Sequence, residues 1–460
     1  MIKEVAKHYV KRGGNFLREI GEAPATLVCT DYEIKFPFIR LFYDYRGTSH
    51  QISLEWCEVE RSDFEKLGEN EWEIFLSNMA VLYSPAFFNL GPIDGVYCSF
   101  AGFTETACRF FEDYLQGSLG EYRFLNGLNP SQRTWVAGNS TQVKGTLPHV
   151  KMEDTVLVLN GGGKDTVVMT ELVAGLGLPQ AWLTNDRNKV RENVINRSGR
   201  PESYHVNFDI QYGFRGRYSA RGPIPYGALP MIQALILSYM RGFRYQVVGN
   251  EYSANFGNIR FQGMDINHQY RKTYEFEVKF SRHIQENISE QFHLFSLLRP
   301  LYELRIARIF SGFPKYFDVF VSCNREIKNA RWCGECAKCA FIYLCLFPFV
   351  KREDLVGIFG SDLILNPDIR KHIVVLASGG VKPWECVGVS EECQLALALA
   401  LEKDPEMEFT EYPFRADLEK ACEGADLQKA EQDILQSFME PNNIPRNIVP
   451  RLRELIERLG

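Results

Sequence analysis

The stretch from Thr155 to Thr166 constrains the fold of this 460-residue chain more than any other feature. A short apolar, β-branched run ends at Asn160, three glycines and Lys-Asp-Thr follow, and an apolar helical pattern then begins. Strand, glycine turn and helix N-terminus form a general anion site, because glycines let the backbone approach an anion and free helix amides favour negative charge. A tight strand-to-helix turn without a ligand is the alternative interpretation.

The order of residues in this loop fits neither a Walker loop nor a dinucleotide fingerprint. It resembles the PP-loop of ATP pyrophosphatases, usually written Ser-Gly-Gly-x-Asp-Ser, with Asn160 and Thr166 in place of the two serines. The resemblance implies an enzyme that splits ATP into AMP and diphosphate and adenylates a substrate oxygen. Lys164 would supply positive charge and the glycine amides the phosphate cradle. The implied ATP-binding residues are Asn160, Gly161, Gly162, Gly163, Lys164, Asp165 and Thr166.

Residues 151–320 alternate strand and helix patterns, which favours a parallel sheet covered by helices on both faces. With the loop, this predicts an α/β fold with a PP-loop core of the adenine nucleotide alpha hydrolase-like kind. Residues 1–150 are predicted to form an α+β domain, ending in a polar linker at 130–148. Residues 321–460 form a cysteine cluster and a helical C-terminal region, with amphipathic helices predicted at Arg415–Cys422, Gln428–Met439 and Val449–Leu459.

Polar residues follow three predicted strands of the central region. They are the loop at Asn160, the pair Thr184 and Asn185, and the run from Gly249 through Asn250 to Asn255. Ligands of such sheets bind beyond the carboxyl ends of the strands, so these residues are predicted to bind the nucleotide. Ordinary polar loop residues are the alternative for each cluster taken alone.

The segment from Glu251 to Glu275 is dense in groups that bind phosphate or carboxylate. Glu251, His268 and Lys272 are the candidate catalytic residues, Glu251 as a possible Mg²⁺ ligand and His268 as a proton carrier. Arg271, with Lys272, is a candidate for neutralising a diphosphate or the substrate. A structural role is the competing interpretation for His268.

Four cysteines, Cys323, Cys333, Cys336 and Cys339, fall within seventeen residues and match the spacing of a structural zinc site. The pattern resembles the zinc cluster of 7-cyano-7-deazaguanine synthase, a PP-loop enzyme that also places it after the nucleotide domain. An iron–sulfur cluster or a metal-free thiol set are the alternatives.

The composition, with 45% hydrophobic and 24% charged residues, is that of a globular protein. The net charge of −6 does not indicate a broad nucleic-acid-binding surface, which is usually basic. Met1–Ile20 shows no signal-peptide pattern, and the most apolar run, Ala340–Val350, is far shorter than the roughly 20 residues that cross a membrane. We therefore expect a cytoplasmic protein that binds neither nucleic acid nor membrane. Its oligomeric state is left open.

Five motifs together resemble the MurL family across nearly the whole chain. They are Asn-Gly-Gly-Gly-Lys-Asp at 160–165, Gly-Asn-Glu-Tyr-Ser-Ala-Asn at 249–255, Asn-His-Gln-Tyr at 267–270, Cys-Gly-Glu-Cys-Ala-Lys-Cys at 333–339 and Glu-Cys-Val-Gly at 385–388.

The MurL resemblance implies an isomerase of cell-wall biogenesis. It would invert the terminal glutamate of UDP-MurNAc-L-Ala-L-Glu through an acyl-adenylate, using ATP and Mg²⁺ and containing a structural Zn²⁺. AMP and diphosphate would be the products. The resemblance also suggests that residues 1–150 bind the UDP-MurNAc-peptide. Two alternatives stay open: another PP-loop adenylating enzyme, either a ligase or a nucleoside-modifying enzyme, and a non-catalytic nucleotide-binding regulatory protein.

Overall fold

The computed structural model describes residues 25–139, 145–213, 228–379, 382–403, 420–421 and 423–460. The Met1–Ile20 stretch lies outside these residues, as does the predicted helix Arg415–Cys422 apart from positions 420 and 421. No helix in the described ranges is long and apolar enough to cross a membrane.

The strands occur in a first group before residue 140 and a second group after residue 152. In chain order they are β1 Ala25–Lys35, β2 Phe38–Tyr45, β3 Thr48–Cys57, β4 Ile93–Cys98, β5 Trp135–Gly138, β6 Glu153–Leu159, β7 Gln180–Asn185, β8 Ser203–Gln211, β9 Phe243–Val248, β10 Ile259–Phe261, β11 Met264–Ile266 and β12 His293–Ser296.

The helices occur between the strands and then alone in the C-terminal region. They are α1 Arg61–Phe64, α2 Glu69–Tyr83, α3 Glu105–Ser118, α4 Gly120–Leu125, α5 Lys164–Gly175, α6 Lys189–Ser198, α7 Leu229–Arg241, α8 Tyr274–Asn287, α9 Glu303–Ser311, α10 Ala337–Leu346, α11 Arg352–Phe359, α12 Pro367–Ala377, α13 Ser390–Lys403, α14 Leu427–Glu431 and α15 Val449–Leu459.

Ten strands form one sheet in the order β12-β9-β6-β7-β8-β3-β2-β1-β4-β5. The pairs from β12 to β8 are parallel, as are β1–β4 and β4–β5, whereas β8–β3, β3–β2 and β2–β1 are antiparallel. The predicted α/β class with a mainly parallel sheet is thus confirmed.

The sheet continues across the boundary predicted near residue 150. Strand β3 pairs with β8 along its length, from Gln51 opposite Gln211 to Cys57 opposite His205. This pairing gives hydrogen-bond partners to backbone amides and carbonyls of β3 and β8 that would otherwise be unpaired at a sheet edge. Part of the predicted linker is also a strand, because β5 pairs with β4 at one end of the sheet. The division of the chain into separately folding domains stays a prediction.

Two cores cover the two faces of the sheet. Val156 and Val158 of β6 belong to one core, and Leu157 between them belongs to the other, as the two-residue period of a strand requires. The first core extends into the C-terminal region, where α10 is buried along all its residues and packs against α9, α12 and α13.

The parallel strands bring distant loops to one edge of the sheet. Because β6, β7 and β9 are parallel neighbours, the loops after Leu159, Asn185 and Val248 leave from the same side. The loop after β6 and the run that begins at Gly249 therefore meet, as ligand-binding loops of open α/β sheets do.

Candidate active site

The glycine loop after β6 is held in shape by its own side chains. Asn160 Oδ1 accepts a hydrogen bond from the Gly162 amide at 2.9 Å, and Asn160 Nδ2 donates to Thr184 Oγ1 at 3.3 Å. Thr166 Oγ1 accepts from the Gly161 amide at 3.1 Å. Gly162 has a φ of +80°, a region that residues with a Cβ rarely adopt.

Helix α5 begins directly after this loop, with Gly163 as its N-cap. Among the described residues, no side chain caps this end of the helix. Its first amides and the positive end of its dipole are therefore available to an anion, as the sequence predicts.

A cavity of about 400 Å³ lies beside the loop. Its walls come from the loop after β6, the run after β9, the segment before α8 and the start of the helical region. The polar and charged residues that line it are Asp165, Thr166, Asn250, His268, Gln269, Arg271, Lys272, Ser322, Asn324, Lys338 and Cys386, together with Gly161, Gly163 and Gly249.

The predicted site residues divide into two sets around this cavity. Nine of them line it: Gly161, Gly163, Asp165, Thr166, Gly249, Asn250, His268, Arg271 and Lys272. The remaining predicted nucleotide-binding and catalytic residues do not line it: Asn160, Gly162, Lys164, Thr184, Asn185, Glu251 and Asn255.

Three residues of the second set form hydrogen bonds that hold the loops in place. Thr184 is fully buried and accepts from Asn160, while Asn185 Nδ2 donates to Gln233 Oε1 at 2.7 Å. Asn255 Oδ1 accepts from the first amide of α8 at 2.7 Å. None of these three side chains lines the cavity, and their binding of a nucleotide stays a prediction.

Lys164, which is predicted to supply positive charge for phosphate, lies in a buried ion cluster. Its side chain is 1% exposed, and its ammonium group is hydrogen-bonded to the carboxylates of Asp165 and Glu303. Burial disfavours the charged amine, but the two carboxylates outweigh burial and raise the pKa of Lys164. The lysine stabilises a buried ion cluster at the floor of the site.

Three carboxylates meet in that cluster. The oxygens of Asp165, Glu251 and Glu303 lie within 4.8 Å of one another. Lys272 Nζ lies 3.2 Å from Glu251 Oε2, and Lys338 Nζ lies 3.9 Å from Glu303 Oε1. Burial and the neighbouring carboxylates raise the pKa of Asp165, although Lys164 opposes them.

His268 forms part of a second polar group in the cavity. Its Nδ1 lies 2.6 Å from Glu121 Oε2 on α4, and its side chain lines the same cavity as the Cys386 thiol. Burial lowers the pKa of His268, but the hydrogen bonds to Cys386 and Glu121 outweigh burial and raise it to about 9. The imidazole is therefore mainly protonated at neutral pH.

A buried arginine connects the segments of the site. Arg299 is fully buried and forms an ion pair with Glu277, with its Nη2 2.9 Å from Glu277 Oε2. The same guanidinium donates to the backbone carbonyls of Glu251 at 2.8 Å and Lys272 at 2.6 Å. One side chain thus fixes the distance between two candidate catalytic residues.

The four predicted metal-binding cysteines come together at the start of α10. The sulfurs of Cys323, Cys333, Cys336 and Cys339 all lie within 4.8 Å of one another, and Cys339 Sγ is 3.6 Å from both Cys333 Sγ and Cys336 Sγ. Four sulfurs at about 2.3 Å from zinc would be separated by about 3.8 Å, so the set fits a tetrahedral ion.

Sequence reasoning missed several residues of the site. Cys386 and Lys338 lie inside two of the motifs on which the family resemblance rests. Their place in those motifs is a signal that could have marked them as site residues. Glu121, Arg299 and Glu303 have no local signal, because each acquires its role only through contacts with segments more than twenty residues away.

Comparison with known proteins identifies the family. The sequence models of the MurL N-terminal domain and the MurL C-terminal domain match residues 39–297 and 319–431. No solved structure matches the chain significantly.

Three curated relatives carry the name UDP-N-acetyl-alpha-D-muramoyl-L-alanyl-L-glutamate epimerase. The protein of Salinispora tropica is 34% identical over 62% of this chain and 64% of its own length. That of a Micromonospora strain is 36% identical over 53% and 56%, and that of Xanthomonas oryzae pv. oryzae is 32% identical over 64% and 67%. The matched part of the chain thus spans less than two thirds of the length of the first two relatives. Because one domain model alone covers more than half of the 460 residues, this chain belongs to the MurL family.

Proposed function

We propose that this protein is an epimerase that inverts the terminal L-glutamate of UDP-MurNAc-L-Ala-L-Glu to D-glutamate during peptidoglycan precursor synthesis. We further propose that it does so through an acyl-adenylate on a PP-loop core, releasing AMP and diphosphate. Membership in the MurL family carries the proposal, because both domain models match and three relatives bear that name.

The chemistry explains why such an inversion needs ATP. A carboxylate withdraws electrons poorly, so its α-hydrogen is very hard to remove. Adenylation converts the carboxylate into a mixed anhydride and removes its negative charge, which makes the α-carbanion reachable. Proton removal on one face, proton return on the other and hydrolysis of the anhydride complete the inversion, and they require positioned acid–base groups and donors to the enolate oxygen.

The cavity suits an anionic substrate that must be activated. The uncapped start of α5 and the Gly161 and Gly163 backbone form one wall, where ATP phosphates would bind. Arg271, Lys272 and Lys338 line the same cavity and would neutralise the phosphates and the substrate carboxylate. These contacts support an adenylating site rather than a neutral ligand pocket.

The carboxylate cluster fits a Mg²⁺ ion that accompanies ATP. Asp165, Glu251 and Glu303 supply oxygen ligands, and Oε1 of both glutamates lacks a hydrogen-bond partner within the described part of the chain. Mg²⁺ bound there would neutralise phosphate charge. The four converging cysteines fit a structural Zn²⁺ in the same way, with no open position for catalysis.

The main test is incubation with UDP-MurNAc-L-Ala-L-Glu, ATP and Mg²⁺. Inversion of the glutamate with AMP release supports the epimerase. AMP release only with a different acceptor would support another adenylating enzyme, and retention of intact ATP would support a nucleotide-binding regulatory protein.

Activation is expected to precede proton removal. In deuterated water, deuterium should appear at the glutamate α-carbon only when ATP and Mg²⁺ are both present, because only the anhydride has a sufficiently acidic α-hydrogen. An ATP analogue with a non-cleavable α,β-bond fills the site without adenylation and should give no deuterium. NMR or mass spectrometry of the isolated peptide reports the label. Deuterium uptake without ATP would contradict the adenylate mechanism.

Two glycines of the loop are expected to respond differently to alanine. A Cβ on Gly161 would meet only Thr166 Oγ1, at 3.7 Å, so the Gly161→Ala protein should fold normally yet carry a methyl group where phosphate approaches. Diphosphate exchange into ATP should fall at least tenfold. A Cβ on Gly162 would lie 2.9 Å from Val190 Cγ1 at a positive φ, so Gly162→Ala should also lose about 1 kcal/mol or more of stability.

Urea unfolding alongside the exchange assay separates the two effects. Normal diphosphate exchange by the Gly161→Ala protein would show that the loop backbone does not bind phosphate.

A further inference from the structure

Cys386 occupies a position that the family resemblance leaves without a role. Its thiol lines the same cavity as the glycine loop and as His268, whose Nδ1 in turn lies 2.6 Å from the Glu121 carboxylate. Thiol, imidazole and carboxylate in sequence form an array in which the carboxylate orients the imidazole and the imidazole stabilises a thiolate.

The segment that carries Cys386 is built into place. Asn258 Nδ2 donates to the carbonyls of Lys382 at 3.2 Å and Pro383 at 2.7 Å, and Asn258 Oδ1 accepts from the His268 amide at 2.8 Å. Lys338 Nζ donates to the Cys386 carbonyl. One asparagine therefore ties the thiol segment and the histidine segment together.

Charged groups around the thiol favour its ionised form. Burial raises the pKa of Cys386, but the hydrogen bond from His268 and the charges of Lys272 and Lys338 outweigh burial and lower it to about 7. Glu121 is the acidic group behind His268, and Arg271 is a further cation of the same cavity. Because His268 is already protonated, the thiolate is the better proton acceptor of the pair.

Two buried polar side chains beside the thiol have atoms without a hydrogen-bond partner among the described residues. Asn250 and Gln269 are 6% and 3% exposed and line the cavity. Asn250 Nδ2 and Gln269 Oε1 have no hydrogen-bond partner within the described residues. Buried amides rarely stay unsatisfied, so a polar substrate portion is expected to bind next to Cys386.

We propose that Cys386 is a catalytic residue that carries the α-proton on one face of the activated glutamate, with His268 and Glu121 as its positioning residues. This inference rests on the proposed epimerase function. It replaces His268 as the expected proton carrier and leaves its imidazolium to hold the thiolate.

The proton transfer balances without a further reagent. The Cα–H bond of the acyl-adenylate breaks, its electron pair moves into the enolate, and the S–H bond of Cys386 forms. A proton from solvent is returned to the carbanion on the other face. The Cys386 thiol then releases its proton to solvent, which restores the thiolate.

The test compares Cys386→Ser and Cys386→Ala with wild type and with the control Cys108→Ser, whose half-buried thiol lies on α3. Substrate-dependent diphosphate exchange follows adenylation, and deuterium at the glutamate α-carbon follows proton transfer. We expect both Cys386 variants to lose deuterium exchange by about 100-fold or more, with a much smaller loss of diphosphate exchange.

The outcomes separate this inference from the function it rests on. A wild-type protein that does not form AMP with the peptide substrate would overturn the proposed function itself. A wild-type protein that epimerises, with a Cys386→Ser variant that exchanges deuterium at a near wild-type rate, would overturn only the role of Cys386.

Alkylation of the wild-type protein by iodoacetamide gives a second measurement that needs no active variant. Mass spectrometry should find Cys386 alkylated with a pH midpoint near 7, against about 8.5 for an ordinary thiol. His268→Gln should raise that midpoint. A Cys386 midpoint near 8.5 in wild type, or no change in the His268 variant, would contradict the array.

Discussion

Replacing Arg299 by methionine is expected to cost about 3–5 kcal/mol of unfolding free energy and to disable the site at the same time. The methionine leaves the Glu277 carboxylate, which is 2% exposed, without its ionic partner in the core. It also removes the donor from the carbonyls of Glu251 and Lys272, so that the two segments lose their common anchor. A buried carboxylate without an ionic partner and a buried carbonyl without a hydrogen-bond donor both lower the free energy of unfolding.

A surface ion pair provides the matched control. Arg197 forms two hydrogen bonds with Asp318, but the carboxylate is 65% exposed, so Arg197→Met should cost less than about 1 kcal/mol. Urea unfolding of both variants gives the comparison. In the double variant Arg299→Met with Glu277→Leu, part of the loss should return, because no unpaired charge remains in the core. Equal costs for Arg299→Met and Arg197→Met would contradict the importance of burial.

Local patterns in the sequence suffice to predict many elements of the fold. Helix α7, Leu229–Arg241, is an apolar run that ends at Gly242, which adopts a φ of +78° and terminates the helix. The helix Val449–Leu459 is likewise found where its amphipathic period predicts it. In both, the signals that start and stop the helix lie within the segment itself.

The joining of the two strand groups could not be predicted in this way. Strand β3 has the alternating pattern of any half-buried strand, and nothing in it indicates β8 as a neighbour about 150 positions later. Strand β5 is short and lies in a turn-rich stretch, and Trp135 is 41% exposed, so its pairing with β4 leaves no apolar run to recognise. Long-range pairing depends on the assembled sheet and not on local propensity.

In the site too, short motifs can be recognised in the sequence, whereas contacts between distant segments cannot. The glycine loop and the four cysteines are compact motifs, and the structure brings the members of each motif together. The buried ion pair of Lys164 involves Glu303, which lies 139 positions away, so the sequence pattern of the loop could not indicate it. His268 and Cys386 meet only because the segment after Lys382 folds back onto Asn258.

The second large effect is expected at the thiol cluster. Cys336→Ser should lose the proposed zinc ion and lower the unfolding free energy by on the order of 3–5 kcal/mol, because structural zinc contributes directly to folding. Cys336 also caps α10, where its Sγ accepts from the Cys339 amide at 3.4 Å, and α10 lies in the middle of the C-terminal core. Cys108→Ser, on an outer helix, is the control and should keep both metal content and stability.

Activity is expected to follow metal content because the cluster and the site share one residue. Lys338 stands between Cys336 and Cys339, lines the cavity, and contacts both Glu303 and the Cys386 carbonyl. Removal of the metal with a chelator should therefore reduce diphosphate exchange in proportion to the zinc lost, as measured by elemental analysis, before the protein unfolds. A freshly purified protein without metal that is fully stable and active would contradict the site. Loss of stability without loss of exchange would show that the cluster supports the fold but not the position of Lys338.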